Sequence, residues 1–210
     1  IFKCLISMTA DRTIFLHTGV TLMETLISFA VCTAAGLVCA LLLWTSPSAA
    51  SVLEPFLVLL NSLPKSALAP LLIVWLGSNM KTIILAGISV AVFGAIMNLY
   101  TGFCETDPDK LKLIKTLGGT KKDALLKVIL PGSVPLILSV MKVNIGLSLI
   151  GIVIGEMIGS KSGLGYLIIY SSQVFQLTTM LMSIVILCII AIFLYGMISF
   201  LEKRYLKSHK

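Results

Sequence analysis

Five stretches of the chain are nearly free of charge and long enough to cross a bilayer. They run over residues 19–43, 55–76, 82–103, 134–155 and 179–201. An apolar run of about 20 residues predicts a transmembrane helix, because its length matches the ~30 Å hydrocarbon layer. Polar residues are confined to the connections between these runs. One connection stands apart: over residues 104–131, lysines interleave with aliphatic residues at helical spacing. The pattern predicts an all-α integral membrane protein, a polytopic helical bundle of five spans forming a single transmembrane domain over residues 1–210.

The second span is irregular. Pro64, Lys65 and Pro70 interrupt "NSLPKSALAPLLIVWLG". Proline removes a backbone donor and kinks a helix, and in a bilayer the freed groups must be met by protein or water. This span is therefore expected to be broken and to face other protein or a cavity. The alternative is a helix that starts only after Pro64, with Lys65 reaching to the interface.

The connection over residues 104–131 opens with "ETDPDKLKLIKTL", in which Asp107 can cap a helix that has Pro108 at its first position. Leu111, Ile114 and Leu117 then fall on one face, with Lys110, Lys112 and Lys115 spread around the rest. Gly118 and Gly119 stop that helix. Thr120 can cap a second, with Asp123 as a carboxylate in its first turn. Ala124, Leu125 and Val128 share its apolar face, and Pro131 is expected to end the unit before the fourth span. Two short amphipathic helices with a glycine corner suit three uses. They can lie on the membrane surface, form a solvated loop, or dock into a groove on a cytoplasmic protein.

Composition supports the membrane assignment. Only 12% of the 210 residues are charged, against about 25% in a soluble domain, and the mean hydropathy is +1.06. No large extramembrane domain fits. The net charge of +7 is unevenly placed: Lys110, Lys112, Lys115, Lys121, Lys122, Lys127, Lys203, Arg204, Lys207 and Lys210 are ten of the sixteen basic residues. Cytoplasmic connections are rich in lysine and arginine, so residues 104–131 and the C-terminal tail are expected in the cytoplasm. Alternation then puts residues 45–54 inside, and residues 8–17 and 77–81 outside. The charge is thus a topology signal and needs no nucleic acid to explain it. The chain begins with Ile1, and Lys3, Asp11, Arg12 and His17 make residues 1–18 unlike a signal peptide, so the natural N-terminus is expected further upstream. Cys4, Cys32, Cys39, Cys104 and Cys188 show no CxxC spacing and read as small buried hydrophobes, implying neither a disulfide framework nor a metal site.

Polar groups inside spans are costly and mark candidate sites. Glu156 ends the fourth span in "IGEMIGSKSGLG", where Gly155, Gly159, Gly163 and Gly165 suggest a bent or re-entrant segment bearing Ser160 and Ser162. Glu156 and Ser160 are either part of a gate or path near the outer face, or an interfacial helix end. Asn144, with Lys142 nearby, either faces a path or hydrogen-bonds a neighbouring helix. Pro64 and Pro70 are further path candidates through the break they impose. Glu24 reads as interfacial, and His17 and His209 as lying outside the spans. A membrane-embedded enzyme would need clustered acids or histidines within spans, which this pattern does not offer. A stand-alone secondary transporter would show internal repeats, and none is convincing.

These residues resemble a family. The segment "KTLGGTKKDALLKVILPG" is similar to the "EAA" loop of inner-membrane permeases from binding-protein-dependent ABC importers. Gly118, Val128, Leu130 and Pro131 fit its spacing, whereas Lys112, Leu113 and Ile114 stand where the family has Glu-Ala-Ala. "HTGVTLMETLISF", "LPKSALAPLLIVWLG", "VILPGSVPLIL" and "GEMIGSKSGLGYLI" resemble further family segments in order. The set looks most like the nitrate/sulfonate/taurine branch, which includes transporters for bicarbonate, riboflavin and thiamine-precursor pyrimidines. The resemblance implies a type I ABC importer permease, with a sixth span upstream, in a bacterial inner membrane. It implies a permease homodimer, a dimer of separate ATPase subunits that use ATP, and an external substrate-binding protein. Residues 104–131 would be the ATPase-coupling loop, carried by Leu111, Ile114, Leu117, Gly118, Gly119, Leu125, Val128, Leu130 and Pro131. The chain itself carries no G-x-x-x-x-G-K-[ST] phosphate cradle, and no cofactor bound by it is expected.

Overall fold

A computed structural model describes residues 13–208. Cys4, the part before Thr13 of the connection expected over residues 8–17, His209 and Lys210 lie outside the described residues. Among the described residues every regular element is helical. Four helices are long and apolar enough to cross a membrane: α1 (Thr13–Thr45), α4 (Met80–Cys104), α8 (Val134–Gly159) and α10 (Leu177–Ser208). They contain four of the five predicted runs and extend each by a few residues.

The second predicted span takes a different form. It is a pair of helices, α2 (Pro47–Ser62) and α3 (Lys65–Leu76), bent by 93°. The break falls at Leu63, which is extended at φ −62° and ψ 143°, because a residue preceding proline is sterically disfavoured in the helical region. Pro55 and Pro70 lie inside helices instead. The connection expected over residues 45–54 is largely helical. Ser46 caps α2 by accepting from Ala49 N, and Pro47 occupies its first turn, where a missing N–H costs nothing.

Residues 105–133 form α5 (Pro108–Thr116), α6 (Lys121–Ala124), a π turn over Leu125–Ile129 and α7 (Leu130–Gly132). Pro131 does not end this unit. The Ser133 N–H donates to Ile129 O at 2.8 Å and Ile137 N–H to Ser133 O at 2.8 Å, so the helical path runs on into α8. The π turn just before Pro131 widens the backbone where proline lacks a donor and crowds the preceding turn. After α8, a short connection leads to α9 (Leu164–Gln173), a helix in the stretch that the sequence suggests to be bent or re-entrant.

The described chain forms two compact units. The first is drawn from the chain up to Cys32, from Pro64–Ala91 and from Asn144–Met197. Its helices approach closely at glycines: a Cβ on Gly151 would lie 2.7 Å from the Gly87 Cα, and one on Gly87 would lie 2.6 Å from Ser28 Oγ. Without a hydrophobic drive between helices in lipid, such small-residue contacts provide the packing. The second unit is drawn from Thr33–Leu63, Val92–Val143 and from Ile198 onward. Leu43, Ala50 and Ile96 form a core there, with Cys39, Leu57, Val92 and Tyr100 against it. Lys142 Nζ pairs with Glu202 Oε2 at 2.6 Å, both side chains being less than one-fifth exposed (18% and 16%).

Candidate functional site

Two arrangements carry function-bearing chemistry, one in each unit. In the second unit, Asp107 caps α5 by accepting from Asp109 N at 2.9 Å, with Pro108 following. The helix ends at Leu117, and Gly118 takes φ +77°. A side chain rarely adopts this left-handed conformation, whereas glycine does so without a Cβ penalty. Gly119 closes the turn, its N–H donating to Ile114 O at 2.9 Å. A reciprocal capping box then starts α6: Thr120 N donates to Asp123 Oδ2 at 2.9 Å, and Asp123 N to Thr120 Oγ1 at 3.3 Å. Lys127 lies 2.8 Å from the other Asp123 oxygen. The Lys127 ammonium and the two Thr120 donors hold the Asp123 carboxyl well below the usual carboxylate range. A depressed carboxyl keeps its contribution above the ordinary Asp value and loses it only as pH falls through the depressed value, so the box stays formed through the physiological range.

The apolar residues of this corner divide by exposure. Leu113, Leu117 and Leu126 are exposed, Leu117 by 75%. Leu111, Ile114, Leu125, Val128 and Leu130 are half-buried, and Gly119 with them. Gly118 and Pro131 are exposed. Of the apolar side chains predicted to carry the coupling loop, Leu117 and Pro131 are exposed. The outward set includes Leu113 and Leu126, which lie off the faces read from the sequence, Leu126 within the π turn.

In the first unit, a polar stripe runs along α1. His17, Thr21, Glu24, Thr25 and Ser28 recur at three- and four-residue spacing and all are buried. His17 therefore lies on the same long helix as the first apolar run, and Glu24, at 2% exposure, is buried against protein. The stripe meets the start of α9. Gly163 N–H donates to His17 Nδ1 at 2.9 Å, Leu164 N–H to Thr21 Oγ1 at 2.8 Å and Gly165 N–H to Glu156 Oε2 at 2.7 Å. Thr21 Oγ1 in turn donates to Glu156 Oε1 at 2.7 Å. The first N–H groups of a helix have no partner within it, and here three side chains from α1 and α8 supply them. The His17 ring also stacks on Tyr166 of α9, with centroids 6.0 Å apart.

Glycine is required where the chain enters α9. Gly163 has φ +103°, and a Cβ there would overlap the Glu156 carboxyl; a Cβ on Gly165 would sit 2.5 Å from Val153 O. Glu156 is thus fully buried inside this cluster. Ser160 lies beside it, its hydroxyl donating to Ser162 O at 2.6 Å. Asn144 is buried at 2% exposure, while Pro64 and Pro70 are exposed. Glu156 and Ser160 are brought into one neighbourhood, but the hydrogen bonds that knit it run to His17 and Thr21, not to Asn144 or the prolines.

Four helices long and apolar enough to cross a membrane, a proline-broken pair and a helical corner define a polytopic helical membrane protein. Solved structures share this arrangement: an amino acid ABC transporter superposes with a TM-score of 0.77 at 18% identity, over 97% of this chain and 98% of that one. An ABC transporter permease protein of Haemophilus influenzae is 35% identical over 192 residues, 91% of this chain and 78% of its own length. The aliphatic sulfonates transport permease protein SsuC of Bacillus subtilis is 27% identical over 194 residues, 92% of this chain and 70% of its own. Residues 32–207 match the model for the binding-protein-dependent transport system inner membrane component. The chain belongs to that family, and is a multi-pass permease subunit of an ABC importer.

Proposed function

We propose that this permease is driven by a dimer of separate ATPase subunits that dock on residues 104–131, and that it works as a pair of copies. The observation that carries the reading is the corner at Gly118. Two capped helices meet there at a fixed, left-handed glycine, and Leu113, Leu117 and Leu126 stand exposed around it. A surface-lying helix needs one continuous apolar stripe; a shaped corner with an apolar tip suits a groove. The lysine distribution puts this corner, with the C-terminal tail, on the cytoplasmic side. ATP is bound by the partner and not by this chain. The solute is small, delivered by an external binding protein, and of the sulfonate, nitrate, taurine or vitamin-precursor kind.

Proteoliposomes test this reading. The full-length permease is reconstituted with its ATPase and binding-protein partners. Uptake is expected only with ATP inside and binding protein outside, from a complex of two permeases and two ATPase subunits. Uptake by the permease alone, driven by an ion gradient, would overturn it.

A further inference from the structure

In the second unit, the end of α10 and the approach to α8 enclose a cavity of about 570 Å³. Pro131, Gly132 and Pro135 line one side, and Lys203, Tyr205, Leu206 and Lys207 the other. Lys203 and Lys207 are one helical turn apart and share a face of α10. Among the described residues, the ion pairs are Lys112–Asp109, Lys127–Asp123 and Lys142–Glu202. Neither cavity lysine takes part in one, and no acidic side chain lines the cavity. Glu202, beside Lys203 in the chain, is held by Lys142 at 2.6 Å, a pair that also ties α8 to α10. Sidedness accounts for lysines in this part of the chain. It does not ask that two of them border one cavity, where their like charges repel unless an anion lies between them.

The depth of the cavity names the anion. The fifth apolar run ends at Leu201. At a rise of about 1.5 Å per residue, Lys203 lies about 3 Å and Lys207 about 9 Å beyond that end. Lipid headgroups occupy roughly 5–7 Å on each side of the hydrocarbon layer. The opposite wall flanks the start of the fourth apolar run at residue 134. The chemistry of the walls fits a headgroup as well. The lysines suit a phosphate, while the proline rings and Leu206, which is exposed, suit glycerol and the first acyl carbons. Tyr205 is an aromatic of the kind that settles at headgroup level. A free phosphate ion has no use for the apolar part.

We propose that this cavity binds the headgroup of an anionic phospholipid, its phosphate held between Lys203 and Lys207. The bound lipid bridges the exit of the helical corner, at Pro131 and Gly132, to the end of α10. A zwitterionic headgroup fits less well, because it brings its own cation to two lysines. The inference rests on the cytoplasmic placement given above, since anionic lipid of the cytoplasmic leaflet is what basic pockets on that side meet.

Native mass spectrometry of the full-length permease in detergent tests the proposal. The probes are dioctanoyl phosphatidylglycerol and dioctanoyl phosphatidylcholine, matched in chain length. The wild type is expected to bind the anionic lipid on the order of tenfold more tightly, within what two lysines contribute beside anionic lipid. The double variant Lys203→Gln, Lys207→Gln should lose that preference. Lys121→Gln, Lys122→Gln removes the same charge from the corner and should keep it. Gly132→Phe fills the cavity and leaves both lysines in place; a Cβ at Gly132 meets nothing within 4 Å, and this variant should lose the preference too. Thermal unfolding shows which variants are folded, and Gly132→Phe stands as an independent test if the lysine variant is not. Equal binding of the two lipids, or an unchanged preference in the folded lysine variant, would overturn the proposal. Loss of ATPase association in a lysine variant with unchanged preference would assign the lysines to the ATPase instead. Displacement of phosphatidylglycerol by an equal concentration of inorganic phosphate would also overturn it, by making this a site for a soluble anion. Detergent gives lipid access to both faces, so the result does not depend on orientation. Maleimide labelling that reversed the sidedness would refute the topology and leave the headgroup site standing.

Discussion

Thr21 and Glu156, 135 residues apart in sequence, are joined by a 2.7 Å hydrogen bond. That bond turns the Glu156 carboxyl so that its other oxygen meets Gly165 N–H at the start of α9. Glu156→Ala leaves the Gly165 N–H without its acceptor, while the Thr21 hydroxyl keeps His17 O at 3.2 Å, and an unmet buried donor costs about 1–3 kcal/mol. Thermal unfolding in detergent should show a clear loss for Glu156→Ala and a smaller one for Glu156→Gln, whose amide oxygen can still accept. Wild-type stability in Glu156→Ala would contradict this role.

The Lys142–Glu202 pair joins α8 to α10 at low exposure. Breaking a buried pair strands a charge, at a cost of about 3–5 kcal/mol, whereas replacing both partners with apolar residues is often neutral. Lys142→Met should therefore destabilise strongly. The double variant Lys142→Met, Glu202→Leu should recover most of the loss in a double-mutant cycle. Additive losses from the two single changes would show that the ion pair does not couple these helices.

Much of the fold was legible in the sequence, for identifiable reasons. Apolar length located four spans, since lipid accepts little else. Asp107, Pro108, Thr120 and Asp123 announced their caps through local chemistry, and the caps formed as read. The 93° turn at Leu63 was legible only in part. Three prolines fall in that region, and the pattern does not say which one breaks the helix. Pro131 misled for a related reason: a π turn absorbs it, and hydrophobic periodicity has no signature for one extra residue per turn. The α9 cap was not legible at all. It depends on His17, Thr21 and Glu156 meeting across the fold, and the only local trace was the recurrence of polar residues along α1, at positions 17, 21, 24, 25 and 28.

The lysine distribution predicts the sidedness. In a background lacking cysteine, single cysteines at Lys121 and Lys207 should react with a membrane-impermeant maleimide only from the cytoplasmic side, and one at Asn79 only from outside. Removing the native thiols matters because Cys104 and Cys188 are exposed, contrary to their reading as buried hydrophobes, which holds for Cys32. Reversal at any of the three positions would contradict the orientation.

The corner at Gly118 bears on the central claim. Its φ of +77° has nothing within 4 Å of a prospective Cβ, so a side chain there meets backbone strain and not a clash. A β-branched residue in that conformation costs on the order of 1–3 kcal/mol, which α5 and α6 can relieve by changing their angle. Membrane insertion depends on the apolar spans and should be unaffected. The decisive measurement is co-purification of Gly118→Val with the ATPase, beside Lys121→Ala at an exposed position as control. The expected result is a near-normal amount of permease in the membrane with ATPase association and ATP-driven uptake lost, while Lys121→Ala retains both. Intact association and uptake in Gly118→Val would contradict the coupling role and leave residues 104–131 as a surface element of the membrane.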